Sequence, residues 1–94
     1  MPYHVYIPAS RRYGTLYIRI TNDLPRRLEE HQSGKGSEFV RQHQVTRLVH
    51  VESFDDPESA IRREKQLKKW NRDWKIRLIE EGNLEWDDLS HLIA

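Results

Sequence analysis

Between Leu16 and His31 the chain reads LYIRITNDLPRRLEEH, and three side chains able to do chemistry stand close together in it: Tyr17, Arg27 and His31. Tyr17 lies in a strand-like run, Thr21-Asn22-Asp23 makes a tight polar turn, and Pro25 opens a helix. On that helix Arg27 and His31 are four residues apart, so they lie one above the other. A phenol, a guanidinium and an imidazole gathered by one short strand-turn-helix form a candidate site for cleaving phosphodiesters. A fourth candidate lies far along the chain. Glu64 falls inside the apolar stripe of a long basic helix, four residues after Ala60 and three before Leu67. A carboxylate there needs a partner, because burying an unpaired charge is costly. That partner is either an Arg or Lys, or a metal ion.

Several elements must position these groups. Tyr3 to Ile7 reads as a first strand, Arg11 to Gly14 as a turn, and Thr15 to Thr21 as a second strand, together a hairpin. Alternation puts Leu16, Ile18 and Ile20 on one face and Tyr17, Arg19 and Thr21 on the other. Val5 and Ile7 share a face, opposite His4 and Tyr6, so matching the apolar faces brings Tyr6 and Tyr17 to the same side. The first helix is expected from about Asp23 to Ser33, capped by Asn22 or Asp23, with Leu24, Leu28 and His31 inward and Arg27 flanking them. Ser33 to Ser37 reads as a flexible basic loop, and Glu38 to Gln42 as one helical turn. A third strand is expected from Thr46 to Phe54, with Leu48 inward and Val49 and Val51 on the other face. Asp55-Asp56-Pro57-Glu58 starts a helix running to Trp70, whose stripe holds Ala60, Ile61 and Leu67; another follows from Trp74 to Glu80, ended by Gly82-Asn83. Trp70 and Trp74, at helical spacing, read as core residues in preference to base-stacking platforms. The segment from Leu84 to Ala94, with Trp86, Leu89, Leu92 and Ile93, is expected to dock on the core or to offer a surface to a protein partner.

Composition bounds what such elements can build. Ninety-four residues are expected to form one domain, 1–94, with one modest core. A third of the residues are charged, but with 10% aromatic the chain should fold. The absence of cysteine excludes a disulfide framework and a thiolate zinc site, and the five histidines show no HExxH spacing. No apolar run approaches a membrane span and the N-terminus lacks a signal-peptide pattern, so a cytoplasmic location is expected. A net charge of +1 conceals two basic blocks: residues 1–50 carry eight Lys/Arg against four Asp/Glu, and residues 62–77 carry eight against two. Residues 51–61 and 78–94 carry only acids, four and five. The basic blocks suit a polyanion, although a charge run alone is more often a solvated helix face.

Taken together, His-Val-Tyr at 4–6, Tyr-Ile-Arg at 17–19, Thr-Asn-Asp-Leu at 21–24, Arg27 with His31, and AIRREKQLK at 60–68 resemble the GIY-YIG nuclease superfamily. WKIRLIEEGN at 74–83 is similar to its small stand-alone members. The resemblance implies an α+β fold, a three-stranded antiparallel sheet flanked by helices. It also implies that Tyr6 and Tyr17 are the two motif tyrosines, that Arg27 stabilises charge on the transition state, and that His31 accepts or relays a proton. By the same resemblance Glu64 holds one Mg²⁺ or Mn²⁺ with waters completing the shell, and Asn83 matches a downstream asparagine. The implied activity is metal-dependent endonucleolytic hydrolysis of DNA, on branched or damaged structures, with low intrinsic sequence specificity in so short a chain.

A phenol of pKa about 10 is only about 0.1% ionised near pH 7, so a tyrosine base needs nearby cations to lower that value; otherwise the tyrosine only orients water. Tyr6 is the expected base, with Tyr17 positioning water or phosphate. His4 stands where the family name has glycine, and Arg19 where the second motif has glycine. Arg19 could bind phosphate, depress the Tyr17 pKa, or block the cleft. The alternative reading is therefore a nucleic-acid-binding module that has lost turnover, and a third is an interaction domain using the acidic C-terminal segment.

Overall fold

A computed structural model describes residues 2–32 and 47–92; for His31 and Gln32 only the backbone is described. The loop and helical turn expected between 33 and 42 lie outside the described residues. The chain runs β1 (Tyr3–Ala9), β2 (Arg19–Thr21), α1 (Leu24–Gln32), β3 (Arg47–Phe54), α2 (Pro57–Lys69) and α3 (Arg72–Gly82), then a short 3-10 turn (Leu89–Leu92). The three strands form one antiparallel sheet in the order β2-β1-β3, an α+β architecture as expected.

Apolar alternation gives the sheet two covered faces. Val5, Ile7, Ile18 and Val49 pack with Ala60 and Leu67 of α2, Ile79 of α3 and Trp86. Across the sheet, Tyr6 and Leu48 pack with Leu24 and Leu28 of α1. At about 25 cal/mol per Å² of apolar surface, these two clusters supply the main driving force for folding.

Three local departures from the sequence pattern shape the site. The second strand is shorter than Thr15–Thr21: only Arg19–Thr21 pairs continuously with β1, and Leu16 meets Ala9 in an isolated bridge. The β1–β3 register shifts between Ile7 and Pro8, with Ile7 opposite His50 and Pro8 opposite Leu48. That bulge leaves Val49 as the extra residue and breaks strict alternation. Val49 consequently joins the cluster under α2, whereas Val51 packs with Leu48 and Tyr6, so the two valines do not share a face. Ile61, expected in the apolar stripe of α2, is instead 43% exposed.

The helix starts follow their caps. The Asp23 carboxylate accepts from Arg26 N at the head of α1 (3.4 Å). Asp56 accepts from Ser59 N (2.8 Å) with Pro57 in the first turn of α2, and Asn71 accepts from Trp74 N (2.9 Å) at the start of α3. The hairpin loop is pinned from outside by Arg72, which donates to the carbonyls of Tyr13 (2.6 Å) and Gly14 (2.7 Å). A Cβ on Gly14 would overlap the Ser10 side chain and Arg11, so this turn closes only around a glycine.

Candidate active site

Register decides which side chains meet on the α1 face of the sheet. Tyr6 lies directly opposite Arg19, and His4 opposite Thr21. Tyr17 precedes Arg19 by two residues and shares its face. The Arg19 guanidinium therefore sits between two phenols. It donates to the Tyr17 hydroxyl at 3.0 Å and stacks over the Tyr17 ring with its central carbon 5.1 Å from the centroid. It also hydrogen-bonds the Tyr6 hydroxyl.

Electrostatics separates the two tyrosines. Burial pushes the Tyr6 phenol above its ordinary value, and the Arg19 hydrogen bond and the charges of Arg19 and Arg27 only partly oppose this. Tyr6 is fully buried, whereas Tyr17 is partly open to solvent. A phenol raised in this way stays protonated at neutral pH, so the expectation that Tyr6 is the base is not favoured. Tyr6 suits a hydrogen-bonding role, and Tyr17 is the less buried of the two tyrosines. Burial opposes the charge on Arg19, but its hydrogen bonds and attraction to the two phenols outweigh that and hold it firmly protonated.

The other expected residues are placed unequally. Arg27 projects from α1, side chain 47% exposed, and pairs with Glu30 at 3.3 Å. Its positive charge and the negative charge of Glu30 both reach the Tyr6 phenol. His31 follows on α1, but its side chain lies outside the described residues. Glu64 is largely enclosed, side chain 16% exposed, and pairs with Lys68 one helical turn on (3.5 Å). Its helix packs against β1 and β2 on the face that holds Val5, Ile7 and Ile18, whereas Tyr6 packs in the cluster under α1. Asn83 does not join this group in any described contact. It caps α3 and is buried, donating to the carbonyls of Val49 (3.2 Å) and Asp87 (2.9 Å) and accepting from Asp87 N (3.0 Å). With its amide fully used on backbone groups, Asn83 serves as a structural tie.

Among the described residues no three His, Asp or Glu side chains lie together as a metal cage. Glu64, like Glu30 beside Arg27, offers a hard carboxylate oxygen. That donor fits a Mg²⁺- or Mn²⁺-type ion held by one carboxylate and several waters, with the ion in competition with Lys68. Two polar atoms, His4 Nδ1 and Arg19 Nε, are buried without a partner among the described residues. Such groups are normally satisfied, so water or substrate is the expected partner.

The sequence pattern of the GIY-YIG catalytic domain matches residues 2–77. The chain belongs to the GIY-YIG family. Its relatives include UPF0213 proteins. The one from Haloquadratum walsbyi is 40% identical over 68 residues, 72% of this chain and 76% of that protein. The one from Bacillus licheniformis is 35% identical over 85 residues, 90% of this chain and 88% of that protein. A solution NMR structure of a UPF0213 protein from Bacillus halodurans superposes with a TM-score of 0.60 at 32% identity, covering 98% of this chain and 97% of that one.

Tyr6 and Tyr17 are linked through Arg19, which pairs across the strands with Tyr6 and donates to the Tyr17 hydroxyl. No signal in strand alternation alone could have placed Arg19 against Tyr6, because that contact depends on the cross-strand register.

Proposed function

We propose that this GIY-YIG chain is an endonuclease that hydrolyses DNA phosphodiester bonds with one divalent cation, acting on branched or damaged DNA. The observation that carries the reading is the bridged pair of phenols, with Arg27 close enough for its charge to be felt at Tyr6. Glu64 would hold the ion, which when bound stabilises negative charge on the scissile phosphate.

The chain's own residues supply the rest. Arg19 fixes both hydroxyls so that neither needs to reorganise during reaction, and its positive charge attracts a phosphate to them. Tyr17, the more open phenol, orients the attacking water through its hydroxyl oxygen. Tyr6, protonated and buried, anchors Arg19 from within the core. Arg27 exchanges its Glu30 partner for a phosphate oxygen and meets the charge that develops there. His31 accepts or relays the proton that the water releases.

A second reading has its own support. Arg19 already occupies both hydroxyls and Tyr6 is buried, which suits a nucleic-acid-binding module without turnover. The test is incubation of supercoiled and branched DNA with Mg²⁺ or Mn²⁺ beside Glu64→Ala and Arg27→Ala. Wild-type nicking is expected, reduced at least ~100-fold in both variants, a scale usual for losing one charge-stabilising group, while their melting stays cooperative. DNA binding without cleavage in any sample selects the second reading. Equal cleavage in all three overturns the site.

A further inference from the structure

Away from the tyrosines, α2 and α3 meet at a corner that is not closed by packing. Trp70 and Trp74 stand edge to face with ring centroids 5.7 Å apart at 86°. Together with Arg63, Arg77, Leu78 and Glu81 they line an open cavity of about 330 Å³, within the ~300–1,000 Å³ range of small-ligand sites. The expectation that both tryptophans are core residues fails for Trp74, which is 51% exposed, while Trp70 is partly buried against the core. An indole left half in water at a cavity mouth forgoes much of its burial energy and offers a flat apolar face.

Charge identifies what such a face would receive. Arg63 lies over Trp70 at 5.1 Å and is held there by Glu52 (2.8 and 3.1 Å) and Gln66 (2.6 Å), so the floor of the cavity is rigid. Arg77, by contrast, has no hydrogen bond or ion pair among the described residues and lies on the exposed side. Two arginines in one lining disfavour a cationic guest of the kind that aromatic cages take. Four of the six lining residues, Arg63, Trp70, Trp74 and Arg77, belong to the basic block at 62–77, with eight Lys/Arg against two acids. Glu81 is the opposing charge. A carboxylate repels phosphate but accepts from the polar edge of an unpaired base, from the N3–H of thymine or the exocyclic amine of cytosine.

We propose that the Trp70–Trp74 corner is a second nucleic-acid site that binds an unpaired base of single-stranded DNA. The base stacks on Trp74, its sugar–phosphate passes Arg77, and Glu81 faces its polar edge. The corner requires a base free of its own duplex stack, since both faces of a paired base are already covered. The site is independent of cleavage and would exist equally in a nuclease and in a binding module. In a nuclease it would favour DNA with an unpaired branch.

The probe is a fluorescein-labelled dT16 strand, followed by anisotropy at about 50 mM salt in EDTA, where no cleavage can contribute. Quenching of tryptophan emission is read in parallel, with a 16-base-pair duplex as comparison. The duplex should bind less well than the single strand. Stacking on one aromatic side chain contributes ~1–3 kcal/mol, so Trp74→Ala should weaken dT16 binding about 10-fold or more, with Trp74→Phe restoring most of it. Arg77→Gln should lower the slope of log K against log salt by ~0.7, the value for one phosphate contact on a single strand. Unchanged dT16 affinity in a cooperatively melting Trp74→Ala, or equal affinity for duplex and single strand, overturns the proposal. So does quenching by a trimethylammonium compound with none by dT16. Failure of the nicking assay leaves this result untouched, because neither readout depends on turnover.

Discussion

Arg19 is the residue on which the site turns. Where a motif glycine would leave the strand bare, it places a charge 3.0 Å from one phenol and hydrogen-bonds the other. Hydrogen bonds to a charged group contribute about 1.5–3 kcal/mol, so Arg19→Gly is expected to lower stability by about 2 kcal/mol in urea denaturation. Because Arg19 opposes the burial that raises Tyr6, its removal should raise the Tyr6 titration further, as read by absorbance near 295 nm. Nicking should fall about 10-fold as the hydroxyls lose their common anchor. A gain in nicking would identify Arg19 as an occluding group. The meeting of Tyr6 and Tyr17 on one side was legible in the alternation of two strands. The burial that separates their acidities was not, since it comes from Leu24, Leu28 and Leu48 packing around Tyr6 alone.

At the scale of elements, one carboxylate joins α2 to the sheet. Burial alone would raise the Glu52 carboxyl, but hydrogen bonds from His50 (2.8 Å) and Arg63 and the Arg63 charge hold it at about 2. Between its ordinary value of 4.5 and about 2 the unfolded chain binds the proton and the folded one does not. Stability is therefore complete above about 4.5 and falls as pH falls through that window. Urea midpoints measured from pH 6 to pH 2.5 should decline for the wild type and decline less steeply for Glu52→Gln. An equal decline in both would remove Glu52 from the acid response. Helix positions were legible because Pro57, Asp56, Asn71 and Gly82 punctuate them, and the three helices among the described residues fall within a few residues of expectation. The truncation of β2 and the bulge at Val49 were not legible, because both follow from how strands pair across the sheet.

For the molecule as a whole, the same residue type has opposite fates. Trp86 is fully buried, its indole N–H donating to Glu80 at 2.9 Å and its ring 5.3 Å from Tyr13, whose hydroxyl also donates to Glu80 (2.9 Å). Trp74 is half exposed at the α2–α3 corner. Sequence periodicity assigns both to apolar positions, and only the completed packing distinguishes them. The C-terminal segment was expected either to dock on the core or to face a partner; of the apolar residues named there, Trp86 is buried and Leu89 packs on a core cluster, whereas Leu92 is 69% exposed. No helix among the described residues is long and apolar enough to cross a membrane.

The buried Asn83 amide and the Asp88 carboxylate have a further consequence. Among the described residues β3 pairs with β1 on one side only. On its other side, Asn83 donates to Val49 O (3.2 Å) and Asp88 accepts from Leu48 N (3.1 Å). These two side chains stand where a neighbouring strand would hydrogen-bond, so they plug a free sheet edge. The opposite edge, β2, needs no plug because it is only three residues long. Asn83→Ala with Asp88→Ala should therefore do more than destabilise the fold: at high concentration the protein should self-associate through β3, visible by light scattering and thioflavin T fluorescence. A double variant that stays monomeric would show that the two bonds hold the C-terminal segment without guarding the edge.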